Sequence, residues 1–277
     1  MATAPQGAAS GATASSAHAG PAIVAYAQRD RTKALLRTAF PRRKTRVVSA
    51  RTFEDFDSAL KSNLVDAVVV DLSGAHDETW RVAGLAREYP SIPFFGLAAL
   101  RAAEGPLLAQ CATCELADLL IDGVDDGVVR DLVQRASFST RFARALADPP
   151  EPLALDAPLQ RSAWRFVVAH AGRPVRTSTL ADHLRVTREH LSRSFAADGA
   201  PNLKRIIDLV RIIAAAELAK NPGYDLRDVA AILEFASPSH LGSTVQRVIG
   251  AKPASLTRLR TVDLVERFVR GHGRSRG

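Results

Sequence analysis

From residue 21 onward, short unbroken apolar runs alternate with stretches whose apolar positions recur every three or four residues. The runs Ala22–Ala27 (AIVAYA), Thr45–Ser49 (TRVVS), Ala67–Leu72 (AVVVDL), Pro93–Leu97 (PFFGL) and Asp118–Asp122 (DLLID) predict five strands. Helices are predicted between them at Arg31–Phe40, Thr52–Ser62, Asp77–Glu88 and Ala102–Glu115, with a fifth after Asp125. Strands that are apolar throughout turn no face to water, so they belong in a parallel sheet covered on both sides. Five strand–helix repeats in about 115 residues fit a doubly wound, flavodoxin-like α/β domain.

The helical pattern then overruns that unit. Across Asp125–Asp148, Val129, Leu132, Val133, Ala136, Ala143 and Leu146 lie near a 3.5-residue seam broken by Ser139 and Thr140. Two outcomes fit: a short dimeric coiled coil, or a helix folded back on the domain. Pro149-Pro150-Glu151-Pro152 stops it and predicts a semi-rigid linker near 149–158. Helix resumes over 158–173 with Trp164, Phe166 and Val167 on its apolar side.

Between Thr177 and Leu256 one unit occurs twice. Each copy opens with a short helix of small and apolar residues, Leu180, Ala181 and Leu184 in one and Val229, Ala230 and Leu233 in the other. A tight turn follows (185–187; 234–237), then an amphipathic helix (Arg188–Ala197; Pro238–Ile249). Helix, turn, amphipathic helix is the unit whose second helix can lie in a DNA major groove. Between the copies, 202–220 reads as one helix with Ile206, Leu209, Val210, Ile213 and Leu218 apolar. At 1.5 Å per residue it spans roughly 25–30 Å, suited to setting two recognition helices about one DNA turn apart. A last amphipathic helix is expected at Thr261–Val269, before the basic tail RGHGRSRG.

Charge sharpens this division. Residues 157–277 hold 20 Lys and Arg against 10 Asp and Glu, whereas 1–156 hold 17 against 19. The basic excess thus lies with the paired units, as a polyanion-binding module requires. The expected domains are a disordered Ala/Gly/Ser-rich tail at 1–20, an α/β domain at 21–136 and a helical extension with linker at 137–157. The double helix-turn-helix domain follows at 158–260, with a C-terminal helix and tail at 261–277. No apolar run reaches the ~18 residues of a membrane span, and the N-terminus has no signal-peptide pattern, so a cytoplasmic, bacterial protein without a membrane partner is expected. Gly-rich phosphate loops, nucleophile elbows and His-rich clusters are missing from the sequence, so neither an enzyme nor a cofactor is expected.

The residues Leu180-Ala181, Thr187–Phe195 (TREHLSRSF), Val229-Ala230, Phe235–Leu241 (FASPSHL) and Gly250–Ser255 (GAKPAS) resemble the DNA-binding domain of AraC/XylS-type transcription regulators over roughly 100 residues. That resemblance implies double-stranded DNA as partner, with base-edge contacts from Glu189, Ser192 and Arg193. Arg193 can pair bidentately with guanine and Glu189 can accept from cytosine. Thr187 and Ser237 are expected to cap the two recognition helices, with Arg188 outward and Leu191 and Phe195 inward. His190 is expected to be buried or bonded to backbone rather than to read bases. On the second helix the outward residues are Ser239, Gly242, Ser243 and Gln246, and the small ones give few base contacts, so this unit is expected to hold the DNA backbone, with Gln246 and Arg247 on phosphates. Glu234 stands where the family commonly has a turn glycine.

The N-terminal order of elements, with Asp71 closing the third strand, is similar to CheY-like receiver domains, where that aspartate accepts a phosphoryl group. The same chemistry needs an acidic pair after strand one, a hydroxyl after strand four and a lysine after strand five. Those places fall near Ala27 and Gln28, on Ala98, and on Asp122 or Gly123. Without those oxygens and that cation, Asp71 reads as a vestigial phosphoacceptor bonded to nearby backbone, in a degenerate receiver. The whole is expected to be a dimeric, sequence-specific regulator whose N-terminal domain dimerises or senses a small-molecule or protein effector. The alternatives are a phosphorylation-controlled response regulator using Asp71, or a thiol redox or metal sensor through Cys111 and Cys114.

Overall fold

Residues 21–41, 45–99, 105–196 and 200–273 are described by the structure, a computed structural model. The tail at 1–20 and the last basic residues, 274–277, lie outside them. Strands β1 (Ala22–Tyr26), β2 (Arg46–Ala50), β3 (Val65–Asp71), β4 (Phe94–Ala98) and β5 (Asp118–Ile121) form one parallel sheet in the order β2-β1-β3-β4-β5. That order is the doubly wound flavodoxin-like one, with its switch point between β1 and β3.

Side-chain alternation divides the sheet's residues between two layers. Ile23, Ala25, Ala67, Val69 and Phe95 join Leu36 and Phe40, at the C-terminal part of α1 (Asp30–Ala39), and Val129 and Val133 of α5 (Val129–Ala136) on one face. On the other, Val24, Tyr26, Val68, Val70 and Phe94 meet α2 (Phe53–Ser62) and α3 (Asp77–Gly84), and this core runs on without a break into the helical domain. The α4 helix (Gly105–Cys111) has no buried residue and sits at the edge; the first residues predicted for it, 102–104, lie outside the described ones.

The single long helix expected after Asp125 is two. Ser137 ends α5 and caps α6 (Phe138–Ala145), its hydroxyl accepting from Thr140 N at 3.3 Å. The coiled-coil seam is accordingly used up inside the chain. Val129 and Val133 face the sheet, while Phe138, Phe142 and Leu146 face the helical core. The proline stretch is also docked rather than spacing the domains: Glu151–Leu153 forms a 3-10 turn, Leu153 and Leu155 are buried, and Trp164 Nε1 donates to Leu146 O at 2.8 Å.

The helical domain comprises α7 (Pro158–Ala169), α8 (Thr177–Leu184), α9 (Arg188–Ala196), α10 (Leu203–Ala219), α11 (Leu226–Ile232), α12 (Pro238–Ile249) and α13 (Thr261–Gly273). Its α10 is buried nearly all round and is the post against which the others pack.

Loop 220–225 joins the two domains. Tyr224 donates to Leu60 O at 3.1 Å and packs edge-on to Tyr89 with ring centres 4.9 Å apart. Tyr89 donates to Gly223 O at 3.2 Å, and Asn221 exchanges bonds with the Ser91 amide and hydroxyl at 2.9 and 2.6 Å. A Cβ on Gly223 would stand 2.3 Å from Tyr89 Cζ, inside a buried ring that has nowhere to turn. Gly223→Ala is therefore expected to cost about 1–3 kcal/mol and to split one thermal transition into two as the domains uncouple, read by calorimetry.

Candidate nucleic-acid interface

The two helix-turn-helix units share one backbone device. Helices α8 and α11 each end on a non-glycine residue in the left-handed region, Arg185 (φ 56°) and Glu234 (φ 54°). The next amide reaches back five residues, Val186 N to Ala181 O at 3.0 Å and Phe235 N to Ala230 O at 2.8 Å. These are Schellman-type closures, in which the backbone carbonyls of Ala181 and Ala230 are satisfied by the amide that follows the left-handed residue. In the second unit an arginine from the post holds the turn. Arg211 of α10 donates to Gly172 O (3.3 Å), Leu233 O (2.8 Å) and Glu234 O (3.5 Å), and its guanidinium lies 3.8 Å from the Phe235 ring centre.

Both recognition helices start as read from the sequence. Thr187 Oγ1 accepts from His190 N at 3.1 Å, and Ser237 Oγ accepts from His240 N at 3.0 Å, with Pro238 at the first position. Leu191 and Phe195 are wholly buried; Thr187, Arg188, Glu189, Ser192 and Arg193 are exposed together on α9. The Arg193 side chain rests on Glu189 O at 3.4 Å. His190 departs from expectation: its side chain is exposed beside Glu189, and its main-chain amide donates to the Thr187 cap. An i, i+4 inward face of Leu191 and Phe195 places position 190 on the outside of the helix.

On α12, Ser237, Ser239, Ser243, Gln246 and Arg247 are all exposed, and Ser243 Oγ donates to His240 O at 3.0 Å. Arg247 is committed in part elsewhere, donating to the buried Asp208 of α10 at 3.0 Å. That pair fixes the recognition helix to the post, a positioning role the sequence reading missed.

Residues 180–258 match a family model described as a helix-turn-helix domain. This segment is an AraC-type helix-turn-helix domain. It makes the chain a DNA-binding transcription regulator. None of the curated proteins matches the chain. Among solved structures, a response regulator from Thermotoga maritima is similar at 16% identity over 42% of this chain and 97% of its own (TM-score 0.37). A Burkholderia pseudomallei response regulator with a phosphorylated aspartic acid, calcium ion and citrate is similar at 16% identity over 62% and 97% (TM-score 0.35). Full-length FixJ from B. japonicum is similar at 13% identity over 68% and 94% (TM-score 0.34). The sheet order is what makes the N-terminal domain receiver-like.

At the switch point of that domain the structure places an arginine. Arg29, three residues past β1, grips both Asp71 oxygens (2.8 and 2.9 Å) and reaches Asp122 at 2.9 Å. Thr32 donates to Asp71 at 2.7 Å and Ser73 N at 3.1 Å, so the backbone bond expected for Asp71 exists but is its lesser tie. Asp122, at the place read as the family's lysine, also accepts from Arg31 at 2.8 Å. Burial pushes the Asp122 carboxyl up, and the Arg31 and Arg29 guanidiniums more than offset it, leaving it below the usual carboxylate range.

Cys111 and Cys114 are free thiols, the second buried with its Sγ donating to Gln110 O at 3.5 Å. Burial and the neighbouring Cys114 hold the Cys111 thiol above its ordinary value, the opposite of what a reactive thiolate needs. Among the described residues no group of three or more His, Cys, Asp or Glu could hold a metal ion, and no helix is long and apolar enough to cross a membrane.

Proposed function

We propose that the chain is a sequence-specific transcription regulator, reading bases with α9 and holding the DNA backbone with α12, and acting as a dimer in the cytoplasm. The exposed row Arg188, Glu189, Ser192 and Arg193 on a capped helix carries this reading, since it combines a bidentate guanine donor with a cytosine acceptor. Arg193→Ala is expected to cost about 1–3 kcal/mol on the selected site and to relax one base preference. Site selection from a random duplex library, followed by affinity measurements at fixed salt, tests it. Uniform weakening on every sequence would remove Arg193 as a reader.

The receiver-like domain works without phosphorylation in this reading. Both oxygens of Asp71 already accept from protein donors, and a guanidinium occupies the ground where a receiver needs metal-binding carboxylates. Incubation with a small phosphodonor is expected to leave the intact mass unchanged. An added phosphoryl mass that disappears in Asp71→Asn would overturn this.

A further inference from the structure

A cavity of about 380 Å³ opens where three parts of the chain meet: the 90–91 loop of the α/β domain, helix α6, and the C-terminal end of α10 with the start of α13. Its volume lies in the range of small-molecule sites, and domain junctions are where such sites concentrate. The wall is apolar, built of Phe138, Phe142, Leu146 and Ile213, with the two phenylalanine rings stacked at 5.9 Å.

Charge is confined to the rim and is unbalanced. Arg141 stands on α6 and Lys220 at the end of α10, against the single carboxylate of Glu217, which Lys220 meets at 2.6 Å. Arg141 gives one N–H of its Nη2 to Ser91 O, and a guanidinium carries five. The rim therefore keeps a net positive charge over an apolar floor.

We infer that this cavity binds a small organic anion with an aromatic or branched apolar body, its acid group held between Arg141 and Lys220. A wholly apolar ligand would leave the two cations without an added partner. A strongly polar one would strand its own groups against the phenylalanines. The occupant touches both α6, which packs on the sheet, and α10, the post of the DNA-binding domain, so it bridges the two domains.

The test uses the full chain and a pair of fluorescent probes sharing the same rings, 8-anilinonaphthalene-1-sulfonate and the neutral N-phenyl-1-naphthylamine. The sulfonate is expected to saturate at one equivalent and to bind about tenfold more tightly than the neutral probe. Ala145→Trp, which fills the cavity from an exposed helix position on its wall, and Arg141→Gln are each expected to weaken the sulfonate about tenfold. Melting curves establish that the variants fold; should Ala145→Trp not fold, Arg141→Gln and Lys220→Gln decide the matter. Equal affinity for the two probes, binding that does not saturate, or folded variants that bind like the parent would each overturn the proposal. No DNA enters the measurement, so its failure leaves the DNA-binding reading untouched.

Discussion

Arg29→Ala is expected to lower the free energy of unfolding by about 2–4 kcal/mol, less than the cost of breaking a fully buried ion pair because the arginine side chain is itself 30% exposed. The Asp71 and Asp122 side chains are only 2% and 5% exposed, so deleting the guanidinium leaves Asp71 with Thr32 and Ser73 alone. Asp122 keeps Arg31, whose side chain is 62% exposed and accordingly a weaker partner. Urea denaturation of parent and variant measures the loss. Arg29→Ala combined with Asp71→Asn is expected to recover a good part of it, because the amide removes the uncompensated charge while keeping the shape. A double variant no more stable than the single one would mean that the lost packing of the arginine stem, not the stranded carboxylate, is responsible.

The same cluster sets a pH dependence. Asp122 is held below its unfolded value, so its contribution is present in full above the ordinary carboxylate range and is lost as pH falls through the lowered one. With Arg29 gone the lowering is smaller, and acid unfolding is expected to begin at a higher pH, followed by circular dichroism.

Local patterns carried much of the fold. The five strands lie within a residue or two of their apolar runs, and both recognition helices start where Thr187 and Ser237-Pro238 put them. Periodicity and capping act over a few residues, which is why they can be read directly. The break between α5 and α6 was just as local, in Ser137 followed three residues later by Thr140, but the apolar positions on either side of it fall near one seam and so read as a single helix. Longer-range ties were a different matter. Arg29 and Asp71 are 42 residues apart and meet only because a parallel sheet brings its C-terminal ends to one edge. Tyr224 and Asn221 sit in a Pro-Gly loop that looks like an exposed turn, and their burial depends on a second domain that the local sequence does not mention.

Arg211→Met is expected to cost about 2–4 kcal/mol and to disable the second helix-turn-helix unit more than the first. The side chain is the common tie of three carbonyls, at Gly172, Leu233 and Glu234; the first two belong to buried residues and carry a desolvation penalty when left without a donor, whereas the exposed Glu234 carbonyl can turn to water. Methionine replaces the stem but neither the fork nor the cation over Phe235. Glu234 holds a left-handed backbone at a non-glycine position, so the turn is costly to form, and Arg211 is what offsets that cost. Arg211→Lys is expected to rescue less than half of the loss, because a single ammonium cannot span carbonyls from two segments as a planar guanidinium does. The discriminating variant is Glu234→Gly in the Arg211→Met background. A glycine relieves the strained turn, so it is expected to restore stability and binding to a two-unit DNA site in parallel. If stability returns and DNA binding does not, Arg211 itself contributes to the DNA-facing surface rather than only holding the turn that presents α12.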